Sequence, residues 1–370
     1  MDTRDRGLTT HRVAIADAAD LSFLPERSVE LVVTSPPYPM IEMWDELFAA
    51  RRPEIRDALE AGNGWSAFEL MHEDLDRVWR EAFRVLADGA IACINIGDAT
   101  RSVADRFRLY PNHARILSRC VEIGFDVLPG ILWRKQTNAP NKFMGSGMLP
   151  PGAYVTLEHE HILVLRKGAK RAFATAEQKA NRQQSAYFWE ERNAWFSDLW
   201  DLKGTRQALA SDEGRARSAA FPFELAYRLV HMYSCRGDVV LDPFAGTGTT
   251  MLAALAGARN SIGVELDDTL LPLVRSQIAS CREAVNEYIV ARVNNHRDFC
   301  ARRASEKQTG LKHRNDPHDF PVVTGQEKNL LIEAVESVEE TASDPDGVTW
   351  EASYCPLDRL DGPGPLFGTL

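Results

Sequence analysis

One stretch constrains this chain more than any other: Val239–Thr250 reads VVLDPFAGTGTT. A β-branched run that ends in aspartate, then glycines, then a helix-forming segment is the start of a strand–turn–helix unit. Such a unit returns its chain to a parallel neighbour by a right-handed crossover. The alternation recurs along the chain. Strands are predicted at Val13–Ile15, Val29–Thr34, Ala90–Ile96, Val127–Trp133, His161–Leu165, Val239–Leu241 and Ser261–Val264. Helices are predicted at Glu69–Leu86, His113–Ile123, Phe223–Tyr233 and Thr249–Ala256. The pattern predicts an α/β fold, a mostly parallel sheet with helices on both faces. Ligands bind such sheets beyond the carboxyl ends of the strands. The groups at three strand ends are therefore candidates: Asp17, the run Ser35-Pro36-Pro37-Tyr38, and Asp242 with its glycines.

The glycine turn suits a nucleoside. Glycines let the backbone approach a ligand closely, and free amides at a helix start favour a polar or anionic group. No Lys follows Gly248, so this is not a phosphate-binding Walker loop, and the third glycine of a dinucleotide fingerprint is absent. Glu265 ends the next strand, where an acidic side chain can accept hydrogen bonds from both ribose hydroxyls. The pair points to a nucleoside cofactor without a pyrophosphate. The second loop, Thr34-Ser35-Pro36-Pro37-Tyr38, is stiff, because each proline fixes φ and removes an amide donor. It presents acceptors: the Ser35 hydroxyl and the Pro36 carbonyl. Tyr38 offers a flat face on which a base can stack. Acceptors aimed at an exocyclic NH2 can turn the nitrogen lone pair toward an incoming methyl group and stabilise developing positive charge.

Composition sets the outer limits. The chain has 370 residues, enough for one large domain with insertions or for two. No stretch reads as a membrane span, and the polar N-terminus does not read as a signal peptide. The six cysteines are scattered with no CxxC pair, which reads as reduced thiols in a cytoplasmic protein rather than a disulfide framework or zinc site. The net charge of −10 is unevenly spread. Arg134–Arg217 holds 14 Lys/Arg against 9 Asp/Glu, a net of +5, whereas Leu331–Leu370 holds 1 against 9, a net of −8. An acidic tail thus masks a basic middle, and phosphate contact depends on a local basic face.

Taken together, TSPPY and DPFAGTGTT resemble the catalytic and cofactor motifs of the DNA amino-methyltransferases. The catalytic loop precedes the cofactor loop by about 200 residues, a circularly permuted order similar to the family's beta class. Ile15-Ala16-Asp17 resembles the beta-class opening, where the family usually has Gly-Asp. Arg84–Asp98, Leu132–Lys135 and Leu157–Lys167 resemble the later elements lining the base pocket. Ser218–Ser234, with Phe221-Pro222 where the family often starts with His-Pro, resembles the helix before the cofactor motif. The likeness covers roughly residues 11–280.

The resemblance implies a Rossmann-like S-adenosylmethionine-dependent methyltransferase fold. It implies cofactor contacts from Asp17, Thr34, Phe221, Pro222, Asp242, Pro243, Phe244, Gly246, Gly248, Thr249 and Glu265. Ser35, Pro36, Pro37 and Tyr38 would act on a base swung out of double-stranded DNA. Transfer is then direct, with no covalent intermediate; carbon-5 methylation would need a Cys nucleophile. Ser at position 35 resembles the N4-cytosine members, and Asp is the usual sign of N6-adenine members, so N4 of cytosine is the favoured target and N6 of adenine the alternative. A cognate restriction endonuclease and a second copy of the chain are further partners the resemblance suggests. Residues 1–310 are expected as the catalytic domain, with an insertion at 39–66 that could be a lid or could cover the sheet. Residues 166–217 are the candidate recognition region, basic and aromatic (Arg166, Lys167, Lys170, Arg171, Lys179, Arg182, Tyr187, Phe188, Trp189, Trp195), with at least two of Trp189, Trp195 and Trp200 expected in the core. Residues 311–370 are expected as an acidic, partly disordered appendage. Glu158-His159-Glu160-His161 reads as a solvated strand edge, not a metal site. Competing readings are a catalytically silent nucleic-acid-binding protein on the same fold, and a small-molecule or protein methyltransferase.

Overall fold

The computed structural model describes residues 7–135, 144–145, 148–203, 221–307 and 310–359. Ten strands form one sheet. In chain order they are β1 (Thr9–Ile15), β2 (Val29–Thr34), β3 (Leu86–Ile96), β4 (Phe125–Lys135), β5 (His159–Lys167), β6 (Leu199–Leu202), β7 (Val239–Asp242), β8 (Asn260–Glu265), β9 (Glu333–Asp344) and β10 (Gly347–Pro356). Across the sheet the order is β6-β4-β5-β3-β2-β7-β8-β1-β10-β9. The five central strands β3, β2, β7, β8 and β1 are mutually parallel, and β5 and β10 run against them. Central strands covered on both faces carry apolar residues on both sides. In β2, Leu31 and Val33 enter one core and Val32 the other.

Two helical layers cover those faces. On one side lie α1 (Asp45–Arg51), α2 (Glu54–Glu60), α3 (Gly64–Val85) and α4 (Asn112–Ile123). The Asn63 side chain caps α3 by accepting from the Ser66 amide, satisfying one of the free donors of the first turn. Phe68, Met71, Leu75, Val78, Trp79 and Ala82 recur at helical spacing and are buried. The insertion at 39–66 is built into this layer: Phe48 and Ile55 are buried in the same core as Phe68 and Met71. On the other face lie α7 (Phe223–Tyr233), α8 (Thr249–Ala256) and α9 (Leu271–Lys307), with the shorter α5 (Ala176–Gln184) and α6 (Trp189–Trp195) beside them. Trp195 and Trp200 are buried and Trp189 is half-buried, as the sequence suggested for at least two of the three.

The expected acidic appendage is corrected here. The segment Glu333–Pro356 folds as a hairpin, and β10 pairs antiparallel with β1 through His11↔Trp350 and Val13↔Val348. Trp350 and Val348 share a core cluster with Val13, Met251 and Val274. The tail therefore completes the sheet; its last residues, 360–370, lie outside the described residues. The charges belong to an edge: Glu339–Asp344 of β9 is exposed, and charged side chains discourage further strand pairing.

Candidate active site

Strands β2 and β7 lie side by side in parallel, with Leu31 opposite Val240 and Val32 opposite Leu241. Their carboxyl ends therefore coincide, and the double-proline loop meets the glycine loop there, though about 200 residues separate them in sequence. The join is a direct hydrogen bond: Thr34 Oγ1 donates to Asp242 Oδ1 at 2.6 Å. Asp242 is 3% exposed and also accepts from Thr250 Oγ1 at 2.6 Å and the Phe244 amide at 3.1 Å. Burial pushes its carboxyl up to about 7, against the opposing pull of these three donors.

The glycine turn is open toward ligand. Gly246 and Gly248 have φ of +51° and +84°, the left-handed region that L side chains rarely adopt. A Cβ built on Gly246 would meet nothing closer than 4.0 Å. Beside it, Glu265 accepts from the Gly246 amide at 2.8 Å and from the Leu266 and Asp267 amides at 2.9 and 3.0 Å. Burial raises this carboxyl despite the three donors. Gly263 has a packing role: a Cβ there would lie 2.8 Å from Ala245 Cβ and 2.9 Å from Met251 Sδ, so it lets α8 approach β8. Phe244 meets Trp79 edge-on at 6.3 Å. Pro243 belongs to the same turn and Thr249 opens α8, and Phe221-Pro222 lead into α7, with Phe221 buried. Asp17 lies two residues past the end of β1, at the same edge of the sheet. It is half-buried, which raises its carboxyl, but the Arg51 hydrogen bond and charge and the Ala19 amide outweigh this and hold it below the ordinary range. The Arg51 contact, at 2.7 Å, brings the 39–66 insertion onto the predicted cofactor side. An open glycine cradle, a carboxylate held at the end of β8 and a second carboxylate at the end of β1 fit a nucleoside cofactor.

The catalytic loop is organised by residues that the sequence reading did not assign. Ser35 Oγ donates to Tyr38 Oη at 3.1 Å, and Tyr38 Oη donates to Glu160 Oε2 at 2.9 Å. Asn95 Nδ2 donates to both, at 2.8 and 2.7 Å. Lys135 pairs with Glu160 Oε1. Tyr38 is 8% exposed, against Gly97. The reading of Glu158–His161 as a solvated edge is thus corrected for Glu160, which is 7% exposed and hydrogen-bonded. Its signal is faint in sequence, because an acidic residue between two histidines resembles any polar strand start. His161 stacks on His113 at 3.9 Å between ring centroids and 12° between planes, and His113 is held by Asp98 at 2.8 Å. Burial, and then the positive charge of His113, lower His161 to about 4. Asp98, His113 and His161 bring ligand-type atoms within 4.8 Å of one another, but an ion lying in one ring plane falls well outside a near-parallel second ring.

The basic stretch lands elsewhere than expected. Strand β5 is antiparallel, so its end reaches the amino edge of the parallel strands. Lys167 Nζ donates to the Phe83 and Leu86 carbonyls, and Arg171 pairs with Asp238 just before β7. Arg166 pairs with Asp126, and Arg182 lies 4.8 Å from the Phe173 ring. The beginning of the candidate recognition region is therefore engaged internally, at the end of the sheet away from the catalytic loop, and residues 204–217 of that region lie outside the described residues. Among the described residues no helix is long and apolar enough to cross a membrane.

Residues 29–275 match the DNA methylase family of N6/N4 type. Over 326 residues the chain is 50% identical to the Type II methyltransferase M.MthZI of Methanothermobacter thermautotrophicus, covering 88% of this chain and 90% of that one. It is 48% identical over 281 residues to the Type II methyltransferase M.MjaI of Methanocaldococcus jannaschii, covering 73% and 91%. A solved structure described as a DNA modification methylase of Thermus thermophilus, complexed with S-adenosyl-L-methionine, is 36% identical with a TM-score of 0.56, covering 72% of this chain and 94% of that one.

Proposed function

Because the chain belongs to the DNA methylase family of N6/N4 type, we propose that this DNA methyltransferase is a Type II enzyme that methylates N4 of cytosine in duplex DNA. The observation that carries the reading is the Thr34–Asp242 hydrogen bond, which locks the double-proline loop to the glycine loop at one end of the sheet. S-adenosyl-L-methionine, when bound, supplies an electrophilic methyl group. Glu265 would hold its ribose, the Gly246–Gly248 turn would accommodate its backbone-facing side, and Asp17 would approach the adenine. The target base must leave the stack to reach a pocket at the strand ends. Ser35 Oγ and the Pro36 carbonyl would then accept from the amino group, aiming its lone pair and stabilising the positive charge that develops on nitrogen.

Serine rather than aspartate at position 35 supports cytosine. The N4-cytosine members that the chain resembles carry serine at the matching place, and a hydroxyl whose proton goes to Tyr38 meets the amino group as an acceptor. The test is to incubate the purified chain with labelled S-adenosyl-L-methionine and duplex DNA, then to separate the nucleosides. Label is expected in N4-methylcytosine, and S35A should slow transfer by about 100-fold, the scale for losing one aligned polar contact to a developing charge. Label in N6-methyladenine alone would replace the cytosine assignment, and no label in DNA would overturn the reading altogether.

A further inference from the structure

We infer that Glu160 is a positioning residue that fixes the direction of a hydrogen-bond chain, so that Ser35 presents an acceptor to the target amino group. The inference rests on the proposed methyl transfer and deepens it. A hydroxyl has no fixed polarity; it donates or accepts as its neighbours require. A carboxylate has only one option, which is to accept. Tyr38 Oη lies 2.9 Å from Glu160 Oε2 and must spend its proton there. Its oxygen is then an acceptor for the Ser35 hydroxyl at 3.1 Å, so the Ser35 proton points away from the pocket and its remaining lone pairs face outward.

The same carboxylate orients Asn95. The carboxamide edge facing Glu160 and Tyr38 must be the NH2 group, at 2.7 and 2.8 Å. This leaves Asn95 Oδ1, on a side chain 2% exposed, with no hydrogen-bond partner. An unpaired buried acceptor is costly, so this orientation of Asn95 is one that the Glu160 carboxylate and the Tyr38 oxygen impose. Lys135 pairs with the other Glu160 oxygen, so both oxygens of the carboxylate face donors. Burial and the adjacent Glu160 charge both raise the Tyr38 phenol, which therefore stays a donor. The network reads the substrate as an NH2 group: a ring carbonyl brought to the same place would face acceptors only.

The experiment is a double-mutant cycle on the full chain, with methyl transfer to duplex DNA measured at saturating S-adenosyl-L-methionine. E160Q offers both a donor and an acceptor and so releases the chain from one direction; Y38F removes the relay oxygen and keeps the ring. Each single variant should lower kcat by about 10- to 100-fold, toward the lower end of effects seen for one aligned polar group, with KM for DNA changed less than about threefold. The double variant should be no slower than the slower single, because both break one chain. Independent, multiplying losses would overturn the inference, as would wild-type kcat in Y38F. If E160Q proves unfolded by circular dichroism, Y38F decides alone. Absence of transfer by the wild type would instead sink the functional reading on which this rests.

Discussion

Replacing Asp242 by Asn should alter the pH dependence of stability in a calculable way. An ordinary aspartate titrates near 3.8, and burial pushes Asp242 up to about 7. Between those values the folded protein holds a proton that the unfolded chain has released. Stability from this group is therefore full below 3.8, falls as pH rises, and is lost through about 7. The D242N variant has no such proton. Integrating the difference in proton binding from pH 5 to pH 8, at about 1.4 kcal/mol per pH unit, gives about 2–3 kcal/mol. Urea denaturation of both proteins at these two pH values measures it. The variant should be close to the wild type at pH 5, where the native carboxyl is already neutral, and should gain about 2–3 kcal/mol relative to it by pH 8. All other titrating groups cancel in the difference. A difference between the two proteins that is the same at both pH values, within about 0.5 kcal/mol, would refute the claim that Asp242 is held neutral by burial.

Two substitutions test the scaffold. G263A should destabilise by about 1–3 kcal/mol in chemical denaturation, the usual cost of overpacking, because the Ala245 methyl 2.8 Å from the new Cβ has no rotamer into which to retreat. W350A should cost about 3–5 kcal/mol, since Trp350 is 1% exposed between β1, α8 and α9; an unchanged midpoint would restore the tail to the status of an appendage.

Local signals in the sequence determined the central elements and their chemistry. Runs such as VELVVT and AIACINI are β-branched or apolar on both faces and can only be buried strands, so all seven predicted strands and all four predicted helices are present. Pro36-Pro37 and Gly246–Gly248 carry their conformational meaning within a few residues, and for that reason both loops were legible. What stayed hidden was set by contacts between distant segments. The 37-residue α9 shows only a narrow apolar stripe, Val274, Ile278, Cys281, Val285, Ile289 and Val293, diluted among charges. The strand β9 mixes acidic residues with short apolar ones because it forms the sheet's edge. The basic residues around Arg166–Arg171 looked free until the reversed direction of β5 carried them to the far end of the sheet and onto internal partners. Glu160 had no distinguishing neighbours in sequence; its place beside Tyr38 and Asn95 exists only because β5 lies against β3 in one register, with Asn95 opposite Ile162. Periodicity and backbone stiffness act over a few residues and can be read along the chain, whereas strand order, direction and register decide which side chains meet, and those are properties of the folded sheet alone.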